Sequence, residues 1–207
     1  MNLPALILLG AGGHARACID VIEGQGHYRI AGLVGAPAEV GTEVLGYPVL
    51  GSDADLAQLA QQYPHALVAV GQLRSPELRS DLYRRALALG LALPAIVSPR
   101  AHVSPHAQVG NGTIVMHGAV VNAGARVGAN CIINTGAIVE HDAQVGDDCH
   151  ISTGAILNGG VRVGAGSFIG SGSIVREGLL LGQRCIVGMC QSVRRDVADG
   201  AQVSEKR

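Results

Sequence analysis

Large aromatic side chains are nearly missing from this chain: four tyrosines, one phenylalanine and no tryptophan among 207 residues. A broad core packed on rings is thereby excluded, and narrow cores of Val, Ile and Ala are expected. An excess of one charge is missing too. The formal net charge is −1, which offers no electrostatic footprint for nucleic acid or an anionic membrane. No apolar run approaches the ~20 residues of a membrane span. Residues 3–9 are apolar but lead into Gly10 with no basic segment before them, unlike a signal peptide. A cytoplasmic protein is therefore expected. The five cysteines are odd in number and lack metal-ligand spacing, so neither a disulfide framework nor a metal site is expected.

What the chain has instead is a beat of six. From Val97 through Val103, Val109, Val115 and so on to Val193, every sixth residue is Val, Ile or Leu without a break. A small residue usually stands two places earlier, as at Ala107, Thr113, Ala125, Cys131, Cys149 and Ser167, and Gly often follows, as at Gly110, Gly128 and Gly146. Neither the 3.6 period of a helix nor the 2 of a lone strand explains this; a hexapeptide repeat marks a parallel β-helix. Each hexad is one short strand and a corner, and three hexads close an 18-residue triangular coil. The apolar residue points inward and stacks on its equivalent one coil away, ~4.8 Å distant. About five coils make a prism roughly 25 Å long. The glycines are expected to serve corners where φ is positive. Cys131, Cys149 and Cys185, with Ser167 between, should form one buried column. After Val193 the rhythm fails, and the polar end through Arg207 is read as a cap or frayed end.

Residues 1–95 have another character. Ala5–Leu9 reads as a buried strand and His14–Glu23 as a helix, joined by Gly10-Ala-Gly-Gly. Gly10, Gly12 and Ala15 fit the G-x-G-x-x-G/A pattern of nucleotide-binding folds, whose glycines admit a ligand to the backbone at a helix N-terminus. Arg29–Val34 and Ala66–Val70 read as further strands, Pro76–Leu89 as a helix, and Leu91–Val97 as a strand leading into the coils. Ser52 is read as an N-cap, with Asp55 in a capping-box-like position, for a helix through Gln62. No Asp or Glu follows the second strand, where Gly35-Ala36-Pro37 stands; this argues against an NAD-dependent dehydrogenase, which needs a carboxylate for its ribose. The expectation is a small α/β, Rossmann-like domain over residues 1–95 and a parallel β-helix over 96–207.

Among eight histidines, phase selects two. His117 and His141 each stand two places after an inward residue, at or beyond a corner. Only His141 is flanked by acids, Glu140 and Asp142, and a carboxylate beside an imidazole fixes its tautomer and raises its basicity. His150 lies nine residues on, half a coil away. The two rings therefore occupy different sides of one prism and would meet only across a subunit interface, so an in-chain metal pair is not expected.

The Gly10-Ala-Gly-Gly-His14 turn, the unbroken hexads, and the stretch from Ile133 through Glu140-His141-Asp142 to His150-Ile-Ser resemble the bacterial sugar O/N-acyltransferases of the sialic acid O-acetyltransferase type. The pattern is most similar to their nucleotide-linked amino-sugar N-acetyltransferases, which act on UDP-bacillosamine precursors or GDP-perosamine. The resemblance covers nearly the whole chain. It implies a left-handed β-helix, a homotrimer with active sites between subunits, acetyl-CoA as co-substrate and a nucleotide-linked amino sugar as acceptor. By the same resemblance, His141 is the general base and Asp142 its partner, and Gly159 offers an N–H to the oxyanion. His150, Ser171 and Met189 touch acetyl-CoA, while Gly12, Gly13, His14 and Gly71 hold the sugar nucleotide. The chain departs from the family at Gly35, where Asp is common, and at Asp199–Gln202, where many relatives have G-x-P-A-K. O-acetylation of a sialic acid or another sugar is the alternative chemistry. A structural hexapeptide protein that binds a nucleotide sugar without turnover is the non-enzyme alternative, against which the His141–Asp142 pair speaks.

Overall fold

A computed structural model describes residues 3–204. The N-terminal part is a five-stranded sheet with strands β1 (Ala5–Leu9), β2 (Arg29–Gly35), β3 (Glu43–Val44), β4 (Tyr47–Ser52) and β5 (His65–Val68). Helices α1 (Gly13–Gln25), α2 (Leu56–Ala60) and α3 (Glu77–Ala88) accompany it. The sheet order is β3-β4-β2-β1-β5, parallel except for β3 on β4. Alternate residues of β1 serve opposite sides, as the strand period requires: Leu6 and Leu8 pack with α1, and Ile7 and Leu9 with α2 and α3.

Several local expectations are corrected here. The β3–β4 hairpin went unread because Pro48 interrupts its pattern; its turn holds Leu45 and Gly46 at φ 51° and 82°. Ser52 ends β4 and does not cap α2. The roles are reversed: the Asp55 carboxylate accepts from the Ser52 N–H at 2.8 Å and its hydroxyl at 2.9 Å. Of residues 91–97, only Ile96–Val97 forms a strand; Ala92 makes a single bridge to His65 beside β5.

From Ile96 the chain winds into the prism. Its first face stacks seven strands, Ile96–Val97 to Gln202–Val203; the second has six, His102–Val103 to Ser192–Val193; the third has five, Gln108–Val109 to Leu180–Leu181. Every pairing between coils is parallel and in register at 18 residues down to Val193, as in Val121 on Val139 and Val139 on Leu157. The inward residues form one continuous core, with Cys131, Cys149 and Cys185 fully buried. The stack is longer than expected, because Gln202–Val203 pairs with Ile186–Val187 at 16 residues. The chain past Val193 thus adds another turn, two residues short, with Val197 and Val203 packed on the core. Of the polar end, Glu205–Arg207 lie outside the described residues.

The glycines also divide differently. Those after the inward residue do not have positive φ. A Cβ on Gly110 would meet the Gly128 carbonyl carbon at 2.5 Å, and one on Gly164 the Gln183 nitrogen at 2.5 Å. They are glycine because the next coil's backbone passes over them. Positive φ falls two residues later, at Gly112, Gly124, Gly160 and Gly178, but also at Asn130, Asp142 and Asp148.

The outward residues decide how the two parts join. On the first face, Ile96, Ile114 and Ile132 form an apolar column that shares a core with α1 and β1. Both vertices of that face are clasped. At one, His117 bridges Ser98 Oγ at 2.6 Å and the Asp20 carboxylate of α1 at 2.7 Å. At the other, Tyr83 and Arg79 of α3 donate to the Asn111 and Asn130 carbonyls, and Arg184 pairs with Glu77. The third face is polar and exposed outward, with Gln108, Arg126, Gln144 and Arg162. The second presents an apolar column, Val120, Ile138, Ile156 and Ile174, the last 46% exposed. No helix among the described residues is long and apolar enough to cross a membrane.

Candidate active site

His141 stands at the vertex between the second and third faces, opposite the face that carries the α/β domain. Its Nδ1 lies 3.0 Å from Asp142 Oδ2, and both side chains are exposed. Because the carboxylate only accepts, Nδ1 carries the hydrogen in the neutral ring and Nε2 is left bare. The coils above and below make room for this pair. A Cβ on Gly159, one coil on, would lie 2.6 Å from both Cε1 and Nε2 of His141, and one on Gly124, 2.5 Å from Asp142 Oδ1. Asp142 has φ +60°, at a position that is glycine in the neighbouring coils (Gly124, Gly160). Asp142, like Asn130 and Asp148 at the equivalent position of other corners, tolerates this left-handed conformation. The Gly159 N–H meets no acceptor among the described residues. At the same hexad position, the Ala129 and Gln183 N–H groups are taken by Asp147 and Asp199 carboxylates.

A second site lies at the carboxyl ends of β1, β2 and β5. The order β2-β1-β5 puts the start of α1 at the point where the sheet's connections diverge, where ligands bind in open α/β sheets. A cavity of about 590 Å³ there is lined by residues including Gly12, Gly13, His14 and Gly71. Each member of the glycine motif has a distinct cause. Gly10, at φ +121°, would carry a Cβ 2.7 Å from Val70. Gly12 and Gly13 face open space, and Ala15 is fully buried between helix and sheet. The cavity lining holds no Lys or Arg. An anion there would rest on the N–H groups that begin α1, where no acid stands in the first turn. Glu39 and Asp53 also line it; sequence reasoning missed both. A carboxylate thus returns four residues after Gly35, with Glu39 accepting from the Ala36 N–H at 2.7 Å.

Between the two domains lies a buried polar cluster. His150 follows Ile96, Ile114 and Ile132 in the outward column of the first face and is 5% exposed. Its Nδ1 meets the Gln72 carbonyl at 2.7 Å, Nε2 meets the Asn134 amide at 3.0 Å, and the ring edges onto Phe168. Burial, reinforced by the Arg79 guanidinium, holds His150 down at about 4 against the ordinary 6.5. His14 is likewise held at about 4 by burial, then by His150 and Arg79. The two rings predicted for different ligands thus feel one another's charge, and both favour the neutral form at neutral pH. His14 Nε2 and Arg79 Nε are buried without partners among the described residues. Arg79 was not anticipated, though the signal exists: it shares one stripe of α3 with buried Leu82 and Ala86.

Ser171 and Met189 stand at the vertex between the first and second faces. Ser171 Oγ is 2.9 Å from Ser152 Oγ, and Met189 is 69% exposed. The structure thus unites His141, Asp142 and Gly159 at one vertex, and Gly12, Gly13, His14 and Gly71 in one cavity. His141 and His150 remain on separate sides of the prism.

A triangular prism of hexads behind a nucleotide-type α/β domain, with a histidine–aspartate pair at a vertex, defines a class of acyltransferase. The family model described as PglD N-terminal domain matches residues 5–86, and that of the bacterial transferase hexapeptide (six repeats) matches 124–159. Perosamine N-acetyltransferase from Caulobacter crescentus, solved with CoA and GDP-perosamine, is 37% identical over 96% of this chain and 92% of its own, with a TM-score of 0.90. The acetyltransferase domain of PglB from Neisseria gonorrhoeae, in complex with acetyl coenzyme A, is 34% identical over 97% and 96%, with a TM-score of 0.89. WeeI from Acinetobacter baumannii AYE shares the fold, at 21% identity and a TM-score of 0.84 over 97% of each chain. No curated protein matches the chain. The chain belongs to the hexapeptide-repeat sugar N-acetyltransferases, left-handed β-helix enzymes that use acetyl-CoA.

Proposed function

We propose that this enzyme acetylates the amino group of a nucleotide-linked 4-amino sugar, with His141 as general base, in a ring of three chains. One observation carries the reading: the His141–Asp142 pair occupies the vertex opposite the face on which the nucleotide cavity rides. A single chain cannot bring an acceptor held in that cavity to its own His141. A three-fold ring closed through the apolar second face would bury Val120, Ile138, Ile156 and Ile174. It would also set the His141 vertex of one chain against the next chain's Ser171–Met189 vertex. Asn134 and the edge of His150 then face the reaction from that neighbouring chain, beside its α1. Acetyl-CoA lies along this seam, touching His150, Ser171 and Met189, while the α1 N-terminus with Gly12, Gly13, His14 and Gly71 holds the acceptor's diphosphate. The GDP-perosamine bound to the Caulobacter relative supports an acceptor of this class.

Chemistry follows from the bare Nε2. The sugar amine attacks the thioester carbonyl and its proton passes to His141 Nε2, while Asp142 stabilises the imidazolium. The free Gly159 N–H receives the carbonyl oxygen as charge builds on it. The C–S bond breaks, and the CoA sulfur takes the proton as it leaves. Thiol release from acetyl-CoA with UDP-, GDP- and dTDP-linked amino sugars tests the reading. His141→Asn should lower kcat by roughly 10²–10⁴ with both KM values little changed, and Asp142→Asn by less. A His141→Asn enzyme with wild-type kcat, still trimeric and binding acetyl-CoA, would place the base elsewhere.

A further inference from the structure

The buried cluster between the domains is a run of hydrogen bonds whose directions are all determined. Asn134 Oδ1 accepts from the Thr135 N–H at 2.8 Å, which turns its Nδ2 toward His150 Nε2, 3.0 Å away. An amide nitrogen only donates, so His150 Nε2 is the bare nitrogen. Independently, His150 Nδ1 lies 2.7 Å from the Gln72 carbonyl, which only accepts. Both ends require the same neutral form, with hydrogen on Nδ1. The Gln72 carbonyl is itself held in place. Its side-chain Oε1 accepts from Arg79 Nη1 at 2.9 Å, and its Nε2 donates to the Gly166 carbonyl at 3.2 Å. Arg79 Nη2 donates to the Asn130 carbonyl at 2.6 Å and lies 3.3 Å from its Oδ1.

Arg79 is 1% exposed and Gln72 2%, and the guanidinium's hydrogen-bond partners are neutral. Burying such a cation is costly, and apolar residues of similar size serve adhesion between domains as well or better. Adhesion alone therefore does not account for it.

We propose that Arg79 and Gln72 are positioning residues for acetyl transfer: through His150 they fix the orientation of Asn134 and leave its second amide N–H for the reacting group. This rests on the trimeric acetyltransferase reading, in which Asn134 stands near the coil height of a neighbouring chain's His141. Hydrogen on Nε2 of His150 would set two donors face to face and turn the Asn134 amide over, withdrawing that N–H.

The test joins a spectroscopic and a kinetic reading on the full chain. Long-range ¹H–¹⁵N spectra of histidine-labelled protein at pH 7 should show His150 neutral with Nδ1 protonated, the signal being assigned by its loss in His150→Gln. Gln72→Leu leaves Arg79 its Asn130 contacts and should fold where Arg79→Met does not, while its backbone carbonyl, no longer anchored through the side chain, loses its fixed position against His150 Nδ1. In Gln72→Leu the Nε2–H form should appear and kcat should fall roughly tenfold, the scale of one misplaced hydrogen bond. The KM for acetyl-CoA should change far less. A purely structural role would lower the melting temperature and leave the tautomer alone. Wild-type His150 in the Nε2–H form overturns the proposal, as does a Gln72→Leu enzyme with wild-type kcat. Failure of the wild type on every amino-sugar nucleotide would instead overturn the acetyltransferase reading, and the spectrum would still decide the lock.

Discussion

Replacing Gly159 by Ala should disable the enzyme without unfolding it. The added Cβ would sit 2.6 Å from both Cε1 and Nε2 of His141, and non-bonded heavy atoms rest at about 3.5–4.0 Å. The imidazole must retreat by about 1 Å. The backbone raises no objection: φ at Gly159 is not in the left-handed region, and Ala123 occupies the same position one coil below His141. The ring can move, because its only hydrogen-bond partner among the described residues is the exposed Asp142. A displacement of about 1 Å from productive geometry costs on the order of 10²-fold. Thiol release should therefore show kcat down about a hundredfold in Gly159→Ala, with melting temperature and acetyl-CoA binding near wild type. The substitution keeps the residue-159 N–H, so the loss tests the ring's position. In a His141→Asn background the same change should cost little, since the two residues act as one unit. Wild-type kcat in Gly159→Ala would refute the geometry. A hundredfold loss that persists without the histidine would show that the glycine acts on its own.

Gly12→Val should abolish acceptor binding measured by calorimetry while leaving CoA binding intact, because its side chain projects into open cavity and meets no protein atom; unchanged acceptor affinity would remove the nucleotide from that cavity. Ile156→Asp, in the middle of the apolar second face, should yield monomers in sedimentation and lose activity, since a like carboxylate would enter all three seams; an intact trimer would mean the ring closes elsewhere. Acid should weaken the fold through His150. Its folded value of about 4 lies below the ordinary 6.5, so the unfolded chain takes up a proton that the folded one refuses. This contribution is whole above pH 6.5 and is lost as pH falls toward 4, by ~3 kcal/mol. Denaturant titrations of wild type and His150→Gln should diverge across that window, and parallel curves would contradict the assignment.

The prism was legible because its signal is repeated: Val97 to Val193 hold one phase, and a single misreading cannot break it. The placement of residues at the vertex was legible for a related reason. Once the phase is known, His141 and Asp142 must lie at a corner, and Gly159 must lie one coil above. The outward phase was equally regular, yet Ile96, Ile114 and Ile132 went unread as the seat of the α/β domain. An outward aliphatic residue says only that something covers it, and what covers it is set by the fold of a different segment. The same limit hid Arg79 and Gln72, whose partners are 51 and 94 residues away. The glycine motif was found but not its division of labour, because Gly10 and Gly12 differ only in what stands next to them in space. Glu39 reaches the cavity at the start of α1 through a short turn after β2, which no periodicity announces.

The in-register stacking of coils makes the molecule a graduated ruler. Each coil advances the chain by ~4.8 Å and returns every side chain to the same face and vertex. Gain or loss of 18 residues between the coil bearing Asn130 and that bearing His150 would repeat the stacking inside the prism but would move Asn130 one graduation away from His150, Gly166 and Arg184, which Arg79, Gln72 and Glu77 hold together. It would also slide His141 one graduation along the axis relative to the Arg79–Asn130 contact. The axial separation between the start of α1 and His141 is therefore set in whole graduations. An insertion of six or twelve residues would instead carry the histidine to another vertex.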